Sequence, residues 1–84
     1  MPKVLPLHPK VSKKALKLGV TGKLKKAVVL FESNPLHPSL NTELLEPKKL
    51  GIWSFRLDRK IRVIFIWRQD KEAIEIINLT IHYH

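Results

Sequence analysis

Cysteine is absent from this 84-residue sequence, glycine occurs three times, and only seven acidic residues stand against sixteen lysines and arginines. Without cysteine there is no disulfide and no thiolate metal site, so packing must hold the fold together, most simply inside a cell. No stretch approaches the roughly 18 apolar residues of a membrane span, and Met1-Pro-Lys begins no long apolar leader. We therefore expect one domain over residues 1–84 in the cytoplasm, with no membrane attachment and no metal or organic cofactor.

Negative charge is scarcest in the first third of the chain. The net charge is +9 with a pI near 10.2, and no acid precedes Glu32. Eight lysines do precede it: Lys3, Lys10, Lys13, Lys14, Lys17, Lys23, Lys25 and Lys26. Any one of them is most simply a solvated helix side chain. Together they predict an electropositive field that suits a polyanion such as nucleic acid, or an acidic protein.

The N-terminal third predicts a helix after an optional edge strand. Residues 3–8 have strand-forming side chains, but Pro6 lacks an N–H and confines such a strand to the edge of a sheet. Apolar residues over 11–18 share one helical face. Pro9 suits the first helical position, and Gly19 suits the left-handed cap that ends the helix.

A second helix is predicted from Thr21, a suitable N-cap, to the stop at Ser33-Asn34-Pro35. Its apolar stripe has the i, i+3, i+4, i+7 spacing of a helix and consists of Leu24, Ala27, Val28 and Phe31. The run 27–31 alone would also suit a strand, and the preceding lysines favour the helix. Residues 34–50 then form a long irregular stretch, of a kind that is often functional in a small domain.

Three strands are predicted in the remainder of the chain, over 52–58, 61–68 and 73–81, where β-branched and aromatic residues are frequent. The expected fold is α+β, with a two-helix N-terminal hairpin packed on a three- to four-stranded antiparallel sheet. The register of the first strand pair stays open. An even turn places Arg62 on the face of Trp53, whereas an odd turn places it beside Arg56.

Several short motifs stand in the order found in a known superfamily: Asn34-Pro35 after the helices, Gly51-Ile-Trp-Ser, then Arg56, Arg62-Val-Ile-Phe and His82-Tyr83. In this order the chain resembles the RelE/ParE superfamily of bacterial toxins. It looks most like the RelE/YoeB-type mRNA interferases of type II toxin–antitoxin systems. The resemblance covers residues 10–83 and is densest over 43–65 and 82–83.

The resemblance implies a toxin that cleaves mRNA on the ribosome. By position, Glu43 matches the catalytic carboxylate, Arg62 the catalytic arginine, and His82-Tyr83 the terminal pair, which His84 extends beyond the usual pattern. These residue types suit metal-free cleavage in which the RNA 2′-hydroxyl attacks the adjacent phosphate. Glu43 would be the base, Arg62 a phosphate clamp and His82 the acid, while Tyr83 would stack on a nucleobase.

Seven further cations are predicted to bind RNA phosphates: Arg56, Arg59, Lys48, Lys49, Lys13, Lys17 and Lys25. Simpler roles compete with the catalytic ones. Glu43 could be a salt-bridge partner of a sheet arginine, and Arg62 could pair with Asp58 across the turn. Trp53 and Trp67 are expected to anchor the core rather than to stack on RNA.

The partners expected on this interpretation are ribosome-bound mRNA and an acidic, partly disordered antitoxin encoded by an adjacent gene. The chain would act as a homodimer or within a toxin–antitoxin complex. Two alternatives stay open. One is a ParE-type DNA gyrase inhibitor, which shares the fold without cutting RNA, and the other is a non-catalytic basic RNA-binding homologue.

Overall fold

A computed structural model describes residues 2–68 and 70–81, which form a mixed five-stranded sheet with two helices on one face. The elements in chain order are β1 (Lys3–Val4), α1 (Pro9–Lys17), α2 (Thr21–Ser33), β2 (Glu43–Leu44), β3 (Ile52–Arg56), β4 (Ile61–Trp67) and β5 (Ala73–Ile81), with short 3-10 helices at Pro38–Leu40 and Lys48–Leu50. The strand order is β1-β5-β4-β3-β2, with β1 parallel to β5 and the other neighbours antiparallel.

The predicted α+β fold with a helical pair on a sheet is confirmed, and the sheet is larger than expected. Glu43–Leu44 forms an edge strand inside the stretch that was expected to be irregular, because it pairs with Trp53 and Ser54 of β3. The optional first strand exists and is parallel to β5, which makes the sheet mixed rather than antiparallel. Both edge strands have two residues, which limits the backbone exposed at the sheet edges.

The helices form where the apolar spacing places them. Pro9 occupies the first turn of α1, and Gly19 adopts a left-handed φ of 71°, as predicted. The prediction that Thr21 is the N-cap of α2 is wrong, because Val20 precedes the first turn and its carbonyl accepts from the Leu24 amide. Among the described residues no helix is long and apolar enough to cross a membrane.

An aromatic cluster joins α2 to the sheet. Phe31 stacks on Phe55 with ring centroids 5.2 Å apart and meets Phe65 edge-on at 5.2 Å. All three rings are fully buried, and each such ring contributes about 1.5–3 kcal/mol of burial free energy. Trp53 and Trp67 pack against the margin of this cluster and are partly buried. Both tryptophans therefore pack against the core, as expected, without being fully buried.

The hairpin between β3 and β4 has the odd register. Arg56 lies directly opposite Arg62, and the pairing ends around a three-residue turn over 58–60. The Asp58 carboxylate closes that turn by accepting from the backbone amides of Lys60 and Ile61, both at 2.9 Å. Residues opposite each other share a face, so both arginines lie on the face of the sheet away from the helices.

Candidate active site

The candidate site is built around the guanidinium of Arg62, on the face of the sheet opposite the helices. Its Nε donates to the hydroxyl of Ser54 at 2.9 Å, and its Nη2 donates to the carbonyl of Asn41 at 2.8 Å. The Arg62 side chain is only 12% exposed. Nη1 takes part in neither contact, so two hydrogen bonds hold the guanidinium in place while one terminal nitrogen is outside them.

Glu43 approaches the same guanidinium from the edge strand. Because β2 pairs Glu43 with Ser54, the carboxylate lies on the face that carries Arg62. Its Oε1 is 3.4 Å from Arg62 Nη2, and the side chain remains 52% exposed. A tight charge-assisted hydrogen bond between these groups would measure about 2.7–2.9 Å. The carboxylate thus stands beside the cation without being locked onto it.

Two arginines determine the electrostatics of the site: the nearly buried Arg62 and the exposed Arg56 opposite it. Burial lowers the pKa of the Arg62 guanidinium, Glu43 partly offsets this by raising it, and Arg56 lowers it further. An arginine so placed is still protonated at neutral pH. Two guanidinium groups against one half-exposed carboxylate leave positive potential on this face, which favours an anion such as a phosphate.

The other predicted site residues are distributed over both sides of the sheet. Arg56 lies beside Arg62, Arg59 is exposed in the hairpin turn, and Lys48 and Lys49 are exposed in the 3-10 helix that follows β2. Exposed lysines of α1 and α2 lie on the helical side instead: Lys13, Lys17 and Lys25. The predicted residues His82 and Tyr83 lie outside the described residues.

Two residues of the site were not predicted from the sequence. Ser54 is fully buried, and its hydroxyl accepts a hydrogen bond from Arg62. Its signal in the sequence was a small polar residue between Trp53 and Phe55, on the strand face that also carries Arg56. Asn41 contributes a main-chain carbonyl from a left-handed conformation at φ 46°, which asparagine tolerates better than most residues. Backbone acceptors of this kind leave no mark in a sequence.

One competing interpretation of Arg62 is wrong. That interpretation paired Arg62 with Asp58 across the turn. The Asp58 carboxylate instead accepts hydrogen bonds from two turn amides and from Lys23 Nζ at 3.1 Å. The competing interpretation of Glu43 as a salt-bridge partner of a sheet arginine agrees with the observed 3.4 Å contact. Among residues 2–68 and 70–81, no group of three or more His, Cys, Asp or Glu side chains could hold a metal ion.

No protein-family model and no curated protein matches this sequence. Solved structures do match it. A YoeB/ParE toxin from Agrobacterium tumefaciens superposes with a TM-score of 0.70 at 17% identity, over 96% of this chain and 99% of that one. YoeB in the YoeB–YefM toxin–antitoxin complex from Staphylococcus aureus gives 0.67 at 16%, over 99% of both chains.

A third match is the E. coli DinJ–YafQ toxin–antitoxin complex, with a TM-score of 0.71 at 16% identity, over 98% of this chain and 91% of that one. At such identities the likeness concerns the backbone architecture. Coverage of 91–99% in both directions means that the likeness extends over nearly the whole of each chain. This chain therefore shares its fold with these solved YoeB/ParE and YafQ toxin structures.

Proposed function

We propose that this chain is the toxin of a type II toxin–antitoxin pair and a metal-independent endoribonuclease that cleaves mRNA on the ribosome. The observation that carries the proposal is the Glu43–Arg62 pair, a half-exposed carboxylate 3.4 Å from a nearly buried guanidinium on the face away from the helices. The fold supports it, because the matching chains include YoeB and YafQ, solved with YefM and DinJ.

The proposed reaction is an internal transesterification of the RNA backbone. The 2′-oxygen forms a bond to the adjacent phosphorus, and the bond from phosphorus to the 5′-oxygen breaks. The products are a 2′,3′-cyclic phosphate and a 5′-hydroxyl end. Glu43 accepts the proton of the 2′-hydroxyl, and His82 gives a proton to the departing 5′-oxygen. Histidine suits that role because its ordinary pKa is about 6.5.

Arg62 stabilises the negative charge that develops on the phosphate oxygens. Its Ser54 and Asn41 contacts fix the guanidinium before substrate arrives, so little reorganisation is needed during the reaction. Its low exposure limits screening by water, which strengthens its interaction with the phosphate. Removing one such preorganised donor typically costs about 10²–10³-fold in rate.

The surrounding cations bind the neighbouring phosphates. Arg56 lies opposite Arg62, and Arg59 extends the cationic surface to the turn of the same hairpin. Lys48 and Lys49 follow the strand that carries Glu43, and they extend the cationic surface along the sheet edge. Tyr83 stacks on a nucleobase next to the cleaved bond. The exposed lysines of the helical side act at longer range, through the net charge of +9.

The test is cleavage of a translated mRNA in a ribosome-containing extract, with purified protein at ribosome stoichiometry. Wild type should cut the message only when ribosomes are present and should leave 5′-hydroxyl ends. Arg62→Ala, Glu43→Gln and His82→Gln should each reduce the rate by about 10²-fold or more. Glu72→Gln is the matched control for Glu43→Gln, because it makes the same carboxylate-to-amide change at an exposed residue of the β4–β5 turn. This variant should cleave mRNA at the wild-type rate.

Circular dichroism and urea unfolding show whether each variant is folded. If Arg62→Ala is unfolded, Arg62→Lys replaces it in the test. Intact mRNA at stoichiometric protein contradicts the proposal. Growth arrest that survives both Arg62→Ala and His82→Gln indicates gyrase inhibition instead. Salt-sensitive RNA binding without growth arrest indicates a non-catalytic RNA-binding protein.

A further inference from the structure

A second surface lies on the opposite side of the sheet from Arg62. It is an open groove of about 660 Å³ at the end of the sheet where β3 begins and β4 ends, lined by Leu44, Gly51, Trp53, Trp67, Lys48, Arg68 and Lys71. None of these residues belongs to α1 or α2, so the two helices leave this end of their own face uncovered. We call it the tryptophan groove.

The floor of the tryptophan groove is apolar and aromatic. Trp53 stacks on Phe65 at 6.4 Å, and Trp67 meets the same ring edge-on at 6.2 Å, so the core holds both indoles from one side. These are the chain's two tryptophans, and both line the groove. Exposed apolar surface of this kind, concentrated in a concavity and rimmed by polar residues, marks interaction sites.

The rim of the groove is cationic. Lys48 and Lys71 are exposed, and Arg68 is half-exposed while its Nη1 bonds Glu75 at 2.9 Å. Among the described residues that line the groove, none is acidic. Lys71 holds a left-handed φ of 58°, a conformation that costs about 1–2 kcal/mol for a residue with a side chain. Glycine would relieve that strain, whereas lysine places a positive charge at the rim.

We propose that the tryptophan groove docks an acidic polypeptide segment that inserts a large apolar side chain against Trp53 and Trp67. Carboxylates on either side of the anchor would pair with Lys48 and Lys71, so the apolar floor and the cationic rim are both matched. Assigning this segment to the antitoxin rests on the proposed function. The match between an acidic, apolar-anchored segment and this groove rests only on the apolar floor and the cationic rim.

Geometry favours a polypeptide over RNA in this groove. The indoles are wedged against Phe65, and the floor is apolar, which suits an inserted side chain better than a charged backbone that tracks phosphates. Neighbouring residues of β2 point to opposite faces, so Glu43 faces the candidate active site while Leu44 faces the groove. A partner can therefore bind β2 without occupying the site of Arg62.

The test uses the two tryptophans as local reporters. The probe is a short synthetic peptide of glutamates around a central Leu-Leu pair, titrated into the full chain while indole emission is recorded. Emission should shift to the blue and saturate. An otherwise identical Ala-Ala peptide should bind at least about tenfold more weakly, because less apolar area is buried.

Charge reversal locates the binding. Lys48→Glu with Lys71→Glu should weaken the leucine peptide about tenfold or more. Lys10→Glu with Lys60→Glu makes the same net charge change at exposed positions outside the groove and should weaken it far less. Arg62→Ala should bind the peptide as wild type does, so loss of cleavage and loss of docking are separate results.

Three results would overturn the docking proposal. Equal binding of the two peptides would mean that charge alone attracts them. Equal weakening by both double reversals would mean a diffuse field rather than a groove. Displacement of the peptide by oligouridylate, with RNA binding lost in Lys71→Glu alone, would make the groove a nucleic-acid surface.

Discussion

The hydroxyl of the fully buried Ser54 accepts a hydrogen bond from Arg62 Nε at 2.9 Å, across the β3–β4 pair. This contact uses the one guanidinium nitrogen that lies farthest from the tip of the side chain. The terminal nitrogen Nη2 is thereby directed toward Asn41 and Glu43. The serine orients the cation without competing for the groups that would bind a phosphate.

We expect Ser54→Ala to lower the free energy of unfolding by about 1–3 kcal/mol, because Arg62 Nε loses its acceptor in a poorly hydrated place. Cleavage should fall as well, through a less ordered guanidinium. Urea denaturation and single-turnover cleavage measure the two effects. Ser12→Ala, an exposed helical serine, is the control and should leave both unchanged or slightly raise stability. Unaltered stability in Ser54→Ala would contradict the role given to this contact.

Thr80→Val should stabilise the fold by about 1 kcal/mol. Thr80 lies opposite Arg62 in the β4–β5 pair, and its buried Oγ1 has no hydrogen-bond partner among the residues that the structure describes. Valine has nearly the same shape and removes a hydroxyl that lacks compensation. Thermal and urea unfolding measure the change. A loss of stability would mean that the hydroxyl is bonded in solution.

Asp58→Ala should destabilise the protein by about 1–2 kcal/mol, since two turn amides lose their acceptor. Asp58→Asn keeps an oxygen for those amides and loses only the exposed pairing with Lys23, so it should cost less than about 1 kcal/mol. Urea denaturation at pH 7 compares the two. Equal losses would contradict the assigned role of the turn amides.

The pH dependence of stability should reflect Glu75. Hydrogen bonds from His8 and then from Arg68 lower the pKa of the Glu75 carboxyl, and slight burial opposes them. A lowered pKa contributes stability above the ordinary carboxyl pKa of about 4.3, and that stability is lost as the pH falls through the lowered value. Glu75→Gln should therefore be less stable than wild type near pH 6, and the difference should shrink towards pH 3. A difference that is constant with pH would contradict this linkage.

Salt dependence should separate the two sides of the sheet. If Arg56 contacts a phosphate of single-stranded RNA, Arg56→Gln should reduce the slope of log affinity against log salt by about 0.7. Lys17→Gln removes the same charge from the helical side and should reduce the slope less. Filter binding over a salt series measures both. Equal slopes for the two variants would place RNA on both sides of the sheet.

Local patterns in the sequence predicted the helices and the long strands. The spacing of apolar residues along each of these elements depends on the repeat of that element alone and can be read without knowing its neighbours. Leu24 and Phe31 are buried as their helical spacing requires, and the β5 range was predicted without error. The pairing of Glu43–Leu44 could not be predicted, since two residues show no alternation and pair only because β3 is beside them. The hairpin register was undecided because Asp58-Arg59-Lys60 lacks a typical turn signature, and a side-chain contact of Asp58 determines it.

The alternation along β2 has a consequence for how the chain can vary. Glu43 and Leu44 pair with Ser54 and Trp53, so each pair serves a different face of the sheet. A shift of β2 by one residue along β3 would set a leucine beside Arg62 and a glutamate among the tryptophans, whereas a shift by two would restore both faces. The pairing of β2 with β3 is thus constrained by parity: a change of register by an odd number of residues exchanges the two faces, and a change by an even number keeps them.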